Sequence, residues 1–433
     1  TCEQQSVSSE LAHYQSVDAL YSLMKLFKLK APNGQALSML IWIRNVVRWC
    51  LLRGPLLKVW IARKARKLDR AYCAELVRAS ALENPATTPN TSLVTGVPLR
   101  TILFIADCMW ELNDLVPELR KIAAVSVLDL HLALNKKPSN QTDREAVTAA
   151  IRDFAAAQKN LAPDVVFFYA RPAILSEATF EVLRRTWHCP LFGMSLDDKM
   201  EFLPYGIFSS GNDNYQHWAA KFDLNLTNCL AAVEWYQQRG LPCLYSPQGV
   251  HLTDDLSLPA SADFKYEFSF LGSRKPEREI IINELLRFGI PIKLFGSGWP
   301  NGQWVDNPNA IYRGTQINLG IGLASPSLTL TTVKGRDFEC PGVGACYLTT
   351  YNWELADFYE LGREILCYRS VEELIEMHAF YRKRPEECLK IAQAAWRRCV
   401  AEHTWEQRFR KIFQQTGFKL LEPAKPNEPS RLL

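Results

Sequence analysis

The sequence predicts an α/β protein made of two Rossmann-like halves in tandem, preceded by a helical segment. Three observations predict it. Between residues 101 and 368, short apolar runs alternate with amphipathic stretches, the pattern of a parallel sheet covered by helices. A polar stretch at 254–263 divides that alternation into two series of similar length. Upstream of a proline- and threonine-rich run at 84–91 the alternation is absent and the periodicity is helical.

Taken in order, residues 10–83 read as helical, with breaks at 31–34 and at Gly54-Pro55. The run at 84–91 is a linker by composition, which sets residues 1–90 apart as an N-terminal extension. The first half, 98–250, is expected to place strands at 101–106, 124–128, 164–169, 190–194 and 224–227, with the clearest helix over 143–158. The second half, 264–418, is expected to place strands at 266–271, 292–295, 317–319, 345–349 and 365–368. The helix after the first of these is well marked. Pro276 suits its first turn, where no backbone N–H is needed; Ile281, Leu285 and Phe288 fall on one face; and Gly289 suits its end. The polar, proline-bearing tail 419–433 is expected to be disordered.

The 433 residues are 48% hydrophobic and 22% charged, which excludes a disordered or collagenous chain and provides for a sizeable core. The net charge of +4 is unevenly placed. Residues 25–70 hold twelve Lys/Arg against the single acid Asp69, an excess of eleven that leaves the rest of the chain seven negative. That distribution argues against a nucleic-acid-binding body, which spreads positive charge over its folded domains. The twelve cysteines include no C-x-x-C pair and no closely spaced Cys/His set. They read as reduced and buried, and no metal ligand set is expected. No cleavable apolar run opens the sequence, and the longest apolar stretch, 39–52, is interrupted by Arg44 and Arg48 and is too short to span a bilayer. A cytoplasmic location is expected.

The most informative stretch runs Lys334-Gly335-Arg336-Asp337-Phe338-Glu339-Cys340-Pro341-Gly342-Val343-Gly344. It continues through Glu354-Leu355, Gly362-Arg363-Glu364-Ile365 and Tyr368 to Glu402-His403-Thr404-Trp405. A carboxylate can accept both hydroxyls of a ribose, and a diphosphate needs cations or helix N-terminal amides. Phe270-Leu271-Gly272-Ser273-Arg274-Lys275 and Leu294-Phe295-Gly296-Ser297-Gly298 each follow an expected strand, where small residues let an anion approach the backbone. Each also has a plain reading: a solvated Glu339, a surface pair for Arg336, turn geometry for the glycines.

The order of these pieces over residues 266–415 resembles the C-terminal domain of the CgeB-type, spore-maturation-protein-like glycosyltransferases, a branch of the group 1 GT-B superfamily. The resemblance implies two Rossmann-like domains facing a cleft, with a nucleotide diphosphate sugar held in the C-terminal one and no cofactor beyond that substrate. It implies a donor site of Gly272, Ser273, Arg274, Lys275, Gly296, Lys334, Arg336 and Glu339. Eight positions after Glu339, where many relatives carry a second glutamate, stands Tyr347.

The first half carries fewer signals. Asp107 and Trp110 follow its first strand, and Leu196-Asp197-Asp198-Lys199 follows another, at the strand ends where ligands collect in parallel sheets. Asp198 is the expected general base for an acceptor hydroxyl, and Asp107 is expected to orient that hydroxyl. Trp110, Asp197 and Lys199 are expected on the acceptor side. Capping of the following helix is the plain reading for Asp107 and Asp197. Pro247-Gln248-Gly249-Val250-His251 resembles the entry to an interdomain linker. Thr404 is expected to cap a last helix over 404–415 that returns to the N-terminal domain. The function expected is metal-independent transfer of a sugar from a nucleotide diphosphate sugar to a protein, glycan or lipid-linked hydroxyl. A nucleotide-sugar epimerase of the same fold and a non-catalytic nucleotide- or carbohydrate-binding scaffold are the alternatives. The basic, tryptophan-bearing stretch 37–70 suits either peripheral contact with an anionic membrane face or packing on the first half.

Overall fold

The computed structural model describes residues 91–421, except 108, 139–140, 170, 203–213, 254–255, 301, 303–304, 306 and 326, together with Arg63, Arg66 and Arg70. Those three arginines are helical and exposed. The rest of the helical reading for 10–83, the membrane reading of 37–70 and the tail beyond 421 lie outside the described residues.

The first half runs β1 (Val97–Leu99), β2 (Thr101–Ala106), α1 (Met109–Arg120), β3 (Ala124–Asp129), α2 (Arg144–Ala157), β4 (Val165–Tyr169), α3 (Glu177–Thr186), β5 (Leu191–Ser195), α4 (Asp198–Glu201), β6 (Leu224–Thr227), α5 (Leu230–Gln238) and β7 (Cys243–Tyr245). Strands β2 to β7 form a parallel sheet in the order β3-β2-β4-β5-β6-β7. A strand covered on both faces must be apolar on both. Accordingly, Leu103 and Ile105 of β2 point into one buried cluster while Ile102 and Phe104 point into the other.

The second half runs β8 (Tyr266–Leu271), α6 (Pro276–Arg287), β9 (Lys293–Phe295), β10 (Thr315–Leu319), α7 (Arg336–Gly342), β11 (Tyr347–Thr350), β12 (Leu366–Tyr368), α8 (Val371–Tyr381), α9 (Pro385–Glu402), α10 (Trp405–Gln415) and β13 (Phe418–Leu420). Strands β8 to β12 form a parallel sheet in the order β12-β11-β10-β8-β9. The strand order reverses between β2 and β4 in the first sheet and between β8 and β10 in the second. Crevices for ligands open at such reversals, beyond the carboxyl ends of the strands. Asp107 and Arg171 stand at the first reversal, and Gly272 at the second.

Two expectations are corrected. Phe288 does not share the buried face of Ile281 and Leu285: α6 ends at Arg287, and Phe288 caps it at 59% exposure, with the Arg287 guanidinium over its ring. Gly289 at φ 73° then turns the chain away. Nor does the tail begin at 419, because Phe418–Leu420 pairs in parallel with Val97–Leu99.

The chain crosses between the halves twice, and the crossings are tied to each other. Val250 N–H donates to His403 O at 2.9 Å, and Trp405 N–H donates to Val250 O at 3.1 Å. After the second crossing, α10 returns to the first sheet, its start fixed by a capping box between Thr404 and Gln407. Its Phe409 meets Phe167 edge-on at 5.8 Å and its Phe413 stacks on Phe192 at 6.1 Å. Burying Trp405, Phe409, Ile412 and Phe413 there stabilises by roughly 1.5 to 3 kcal/mol per side chain.

Candidate active site

The turn after β8 is built around two guanidinium groups. Arg278 donates from Nη1 to Ser273 O at 2.8 Å, and Arg336 donates from Nη1 to Leu271 O at 2.9 Å. Both planes lie over Phe270, at 5.7 and 5.8 Å from its centroid. A Cβ on Gly272 would overlap Arg336 Nη1 and come within 3.2 Å of Arg278 Nη1, so a side chain there would displace the guanidinium tips from the turn. Gly296, at φ 105°, abuts the Gly272 backbone, where an added Cβ would meet its carbonyl at 2.7 Å. That approach between the two turns accounts for glycine at 296.

Lys275 and Lys334 complete the cluster. Burial pushes the Lys275 ammonium below its ordinary value, and Arg278 adds to the effect. Burial does the same to Lys334, reinforced by Lys275, Arg278 and Arg336 and opposed by Asp197. Arg278 is pushed down to about 9 by burial and by Arg336. For Arg336 burial also works against the charge, but Tyr347, Tyr312 and Glu339 outweigh it and hold the guanidinium above its ordinary value. Cations that repel one another in a desolvated turn are ready for an anion. Lys275, the N-cap of α6, makes no side-chain capping bond to the first amides of that helix.

Arg274, expected on the diphosphate, is turned elsewhere: its Nε donates to Glu279 Oε2 at 3.0 Å along the first turn of α6. Arg278 occupies the turn in its place. Tyr347 opens β11 as a buried residue opposite Asn318, so its position belongs to the sheet and not to the cleft.

Beside the cations lies a cavity of about 760 Å³ lined by residues of α1, the linker and the second half, among them Asp114, His251, Leu271, Tyr312 and Glu339. Glu339 sits on α7 behind Gly335, where a Cβ would come within 2.6 Å of its Oε1. Its carboxylate has no hydrogen-bond partner among the described residues. Burial pushes it up to about 7, with Arg336 opposing and Asp114 and Asp337 adding to the rise. Asp337, behind it, accepts from Lys334 N–H at 2.7 Å and from the Thr349 hydroxyl at 3.2 Å, which fastens α7 to β11.

On the first half, Asp107 is buried and its Oδ2 accepts from Arg171 Nε at 2.9 Å, so it anchors Arg171 and does not present itself to an acceptor. Asp198 is also corrected. It is fully buried, accepts from the Tyr236 hydroxyl at 3.2 Å and is pushed up to about 7 by burial. With no exposed atom it has no path to an acceptor hydroxyl. Its neighbour Asp197 is 44% exposed and faces Lys334 across the cleft at 3.7 Å. Lys199, expected on the acceptor side, is a clamp between the halves: its Nζ reaches Glu354 Oε1 at 3.0 Å and Thr331 O at 3.1 Å. Met200 packs against Ala324 and Leu330 beside it. Trp110 lies in the first turn of α1.

The sequence did not single out Asp114, Glu118, Glu201 or Arg278. Glu201 is pushed up to about 8, first by burial and then by Asp197 and Asp198. Its one signal was its place three residues after Asp198 on the same turn. Arg278 likewise stood three residues after Lys275. His251, at the end of the linker entry, bonds through Nδ1 to Glu118 Oε1 at 2.7 Å.

Two parallel sheets in tandem, with a cavity walled by residues of both halves, define a GT-B architecture. Residues 274–414 match the family model described as "Glycosyl transferase-like". Among solved structures, Anabaena HepE in complex with UDP and glucose is similar at 13% identity and a TM-score of 0.50, over 73% of this chain and 98% of that one. Sucrose-phosphate synthase from Thermosynechococcus elongatus is similar at 10% identity and a TM-score of 0.49, over 73% and 98%. At 13% identity the likeness to HepE is one of fold. No curated protein matches the sequence.

Proposed function

We propose that the protein is a glycosyltransferase that moves a sugar from a nucleotide diphosphate sugar to an acceptor hydroxyl. The observation that carries this reading is the convergence of Lys275, Arg278, Lys334 and Arg336 on one desolvated turn, next to a cavity lined by the unpartnered carboxylate of Glu339. The family match over 274–414 and the GT-B fold support it. In this reading the four cations bind the diphosphate and stabilise the charge that develops on it as the glycosidic bond breaks. Glu339 accepts from the ribose hydroxyls. Asp197, the exposed carboxylate of its pair, is the group within reach of an acceptor hydroxyl, and Asp198 supports it from beneath. Side-chain cations meet the charge of the diphosphate, so the transfer is proposed to need no divalent metal.

The finer assignment to the CgeB-type branch rests on the order of motifs from Lys334 to Trp405 and is part of the proposal. So are a cytoplasmic location and peripheral membrane contact through 37–70. Among the described residues no helix is long and apolar enough to cross a membrane. Flotation with anionic vesicles at low salt checks the membrane contact, and failure to float removes it.

A transfer assay over a panel of nucleotide sugars tests the central reading. Glu339→Ala is expected to weaken nucleotide binding by roughly 1.5 to 3 kcal/mol, the scale of a charge-assisted hydrogen bond, with the fold intact. Turnover of the unaltered protein is expected to survive EDTA. Unchanged nucleotide affinity in Glu339→Ala would remove the donor site described here. Loss of turnover on chelation, restored by magnesium or manganese, would remove metal independence. Conversion of the donor to an epimer without transfer would favour the epimerase.

A further inference from the structure

The cavity beside Glu339 is walled by both halves. Helix α1 supplies Asp114, the linker supplies His251, and the second half supplies Leu271, Tyr312 and Glu339. The buried hydroxyl of Tyr312 there has no hydrogen-bond partner among the described residues, and the half-buried carboxylates of Asp114 and Glu339 are shifted by burial and by neighbouring charges with no hydrogen bond contributing. Polar groups withdrawn from bulk water without partners are costly, and a cavity that gathers several of them suits a polar ligand.

His251 is held in place from behind. Glu118 is buried and accepts from three directions: His251 Nδ1 at 2.7 Å, Lys121 Nζ at 2.8 Å and the Glu406 amide at 3.2 Å. Burial opposes its charge, but the bonds from His251 and Lys121 outweigh it and hold the carboxyl below its ordinary value. An ionised Glu118 fixes the Nδ1–H tautomer of His251, which leaves Nε2 for a ligand. Asp114 carries the opposite tension. Burial pushes it up to about 6, only partly offset by His251, and Asp114 in turn raises Glu339.

We propose that Asp114 and His251 contact the nucleoside of the donor from the first half and the linker, while Glu339 holds its ribose from the second. This rests on the donor-site reading above and goes beyond it. It makes nucleoside recognition a joint property of the two halves, with Asp114 accepting from an N–H or O–H of the nucleoside.

Calorimetry with UDP, GDP and ADP, and separately with inorganic pyrophosphate, tests it. Pyrophosphate fills the cationic turn and lacks the nucleoside. Asp114→Asn keeps size and shape and is expected to weaken the tightest nucleoside diphosphate roughly tenfold, the loss of one charge-assisted bond, while leaving pyrophosphate affinity within about twofold. His251→Asn, a second substitution in the same wall, is expected to act in the same direction. Equal weakening of both ligands would show that the residues act through the fold or the closure of the halves, and would overturn the proposal. So would unchanged nucleotide affinity in both variants while Glu339→Ala still weakens binding, which overturns this inference and spares the donor site. Pyrophosphate binding with no nucleoside diphosphate binding by the unaltered protein would overturn both.

Discussion

At Glu339 a ribose-binding role and a raised pKa pull against each other, and the conflict is measurable. A carboxyl pushed up to about 7 holds its proton through the acidic range, and only its ionised form accepts both hydroxyls of a diol. Nucleotide affinity is therefore expected to rise between about pH 6 and 8 as Glu339 ionises. Glu339→Gln, which cannot ionise, is expected to lose the protein's share of that rise. Calorimetry across the range checks it, and identical pH profiles for the two proteins would refute the assignment. Stability runs the other way. A carboxyl whose folded value lies above its unfolded value favours folding at low pH, and the contribution fades as pH rises from about 4.5 to about 7. The kind of residue at this site was more legible than the individual. That cations follow Gly272 was legible, because a strand-glycine-helix turn has an anion-binding geometry. Which cation turns inward was not, because Glu279 stands one helical turn from Lys275 and captures Arg274. Burial decided Asp198 in the same way: a carboxylate after a strand is legible, but the Tyr236 hydroxyl that draws it under the surface comes from 38 residues away.

Elements longer than about five residues were legible because their apolar periodicity outweighs any single position. Strands β1, β7 and β13 were not. β1 and β13 lie outside both alternating series and pair only with each other across the length of the described chain, and β7 is a three-residue strand at the edge of its sheet, so no local pattern announces them. Helix α4 is another short element whose importance comes from its partners. Four residues long, it places Lys199 against Glu354 and Met200 against Ala324, and so joins the halves along one side of the cleft. Both partners of the ion pair are nearly inaccessible, at 7% and 3% side-chain exposure. Removing one leaves the other buried without a counter-charge. Lys199→Met is thus expected to destabilise by about 3 kcal/mol, and Lys199→Met combined with Glu354→Gln to recover much of that. Denaturant midpoints of the single and double variants check it. Equal stability of Lys199→Met and the unaltered protein would mean that the pair is open to water in solution.

For the molecule as a whole, the GT-B arrangement was legible from two series of strands divided at 254–263, since each series carries its own reversal and its own crevice. The extent of the first half was not, because one of its helices lies some 160 residues beyond its last strand, from Tyr245 to Trp405. The return of α10 has a consequence for how the protein is made. A ribosome releases the first sheet complete except for one face, where Phe167 and Phe192 wait for Phe409 and Phe413. At 5 to 20 residues per second that face stays open for on the order of ten to thirty seconds. Chains cut after Glu402 never close it, and they are expected to collect in the insoluble fraction on expression; a soluble, folded product ending there would show that the first half does not need the helix. For intact chains the same interval is a period of dependence on chaperones. It ends only when α10 settles on strands that were made long before it.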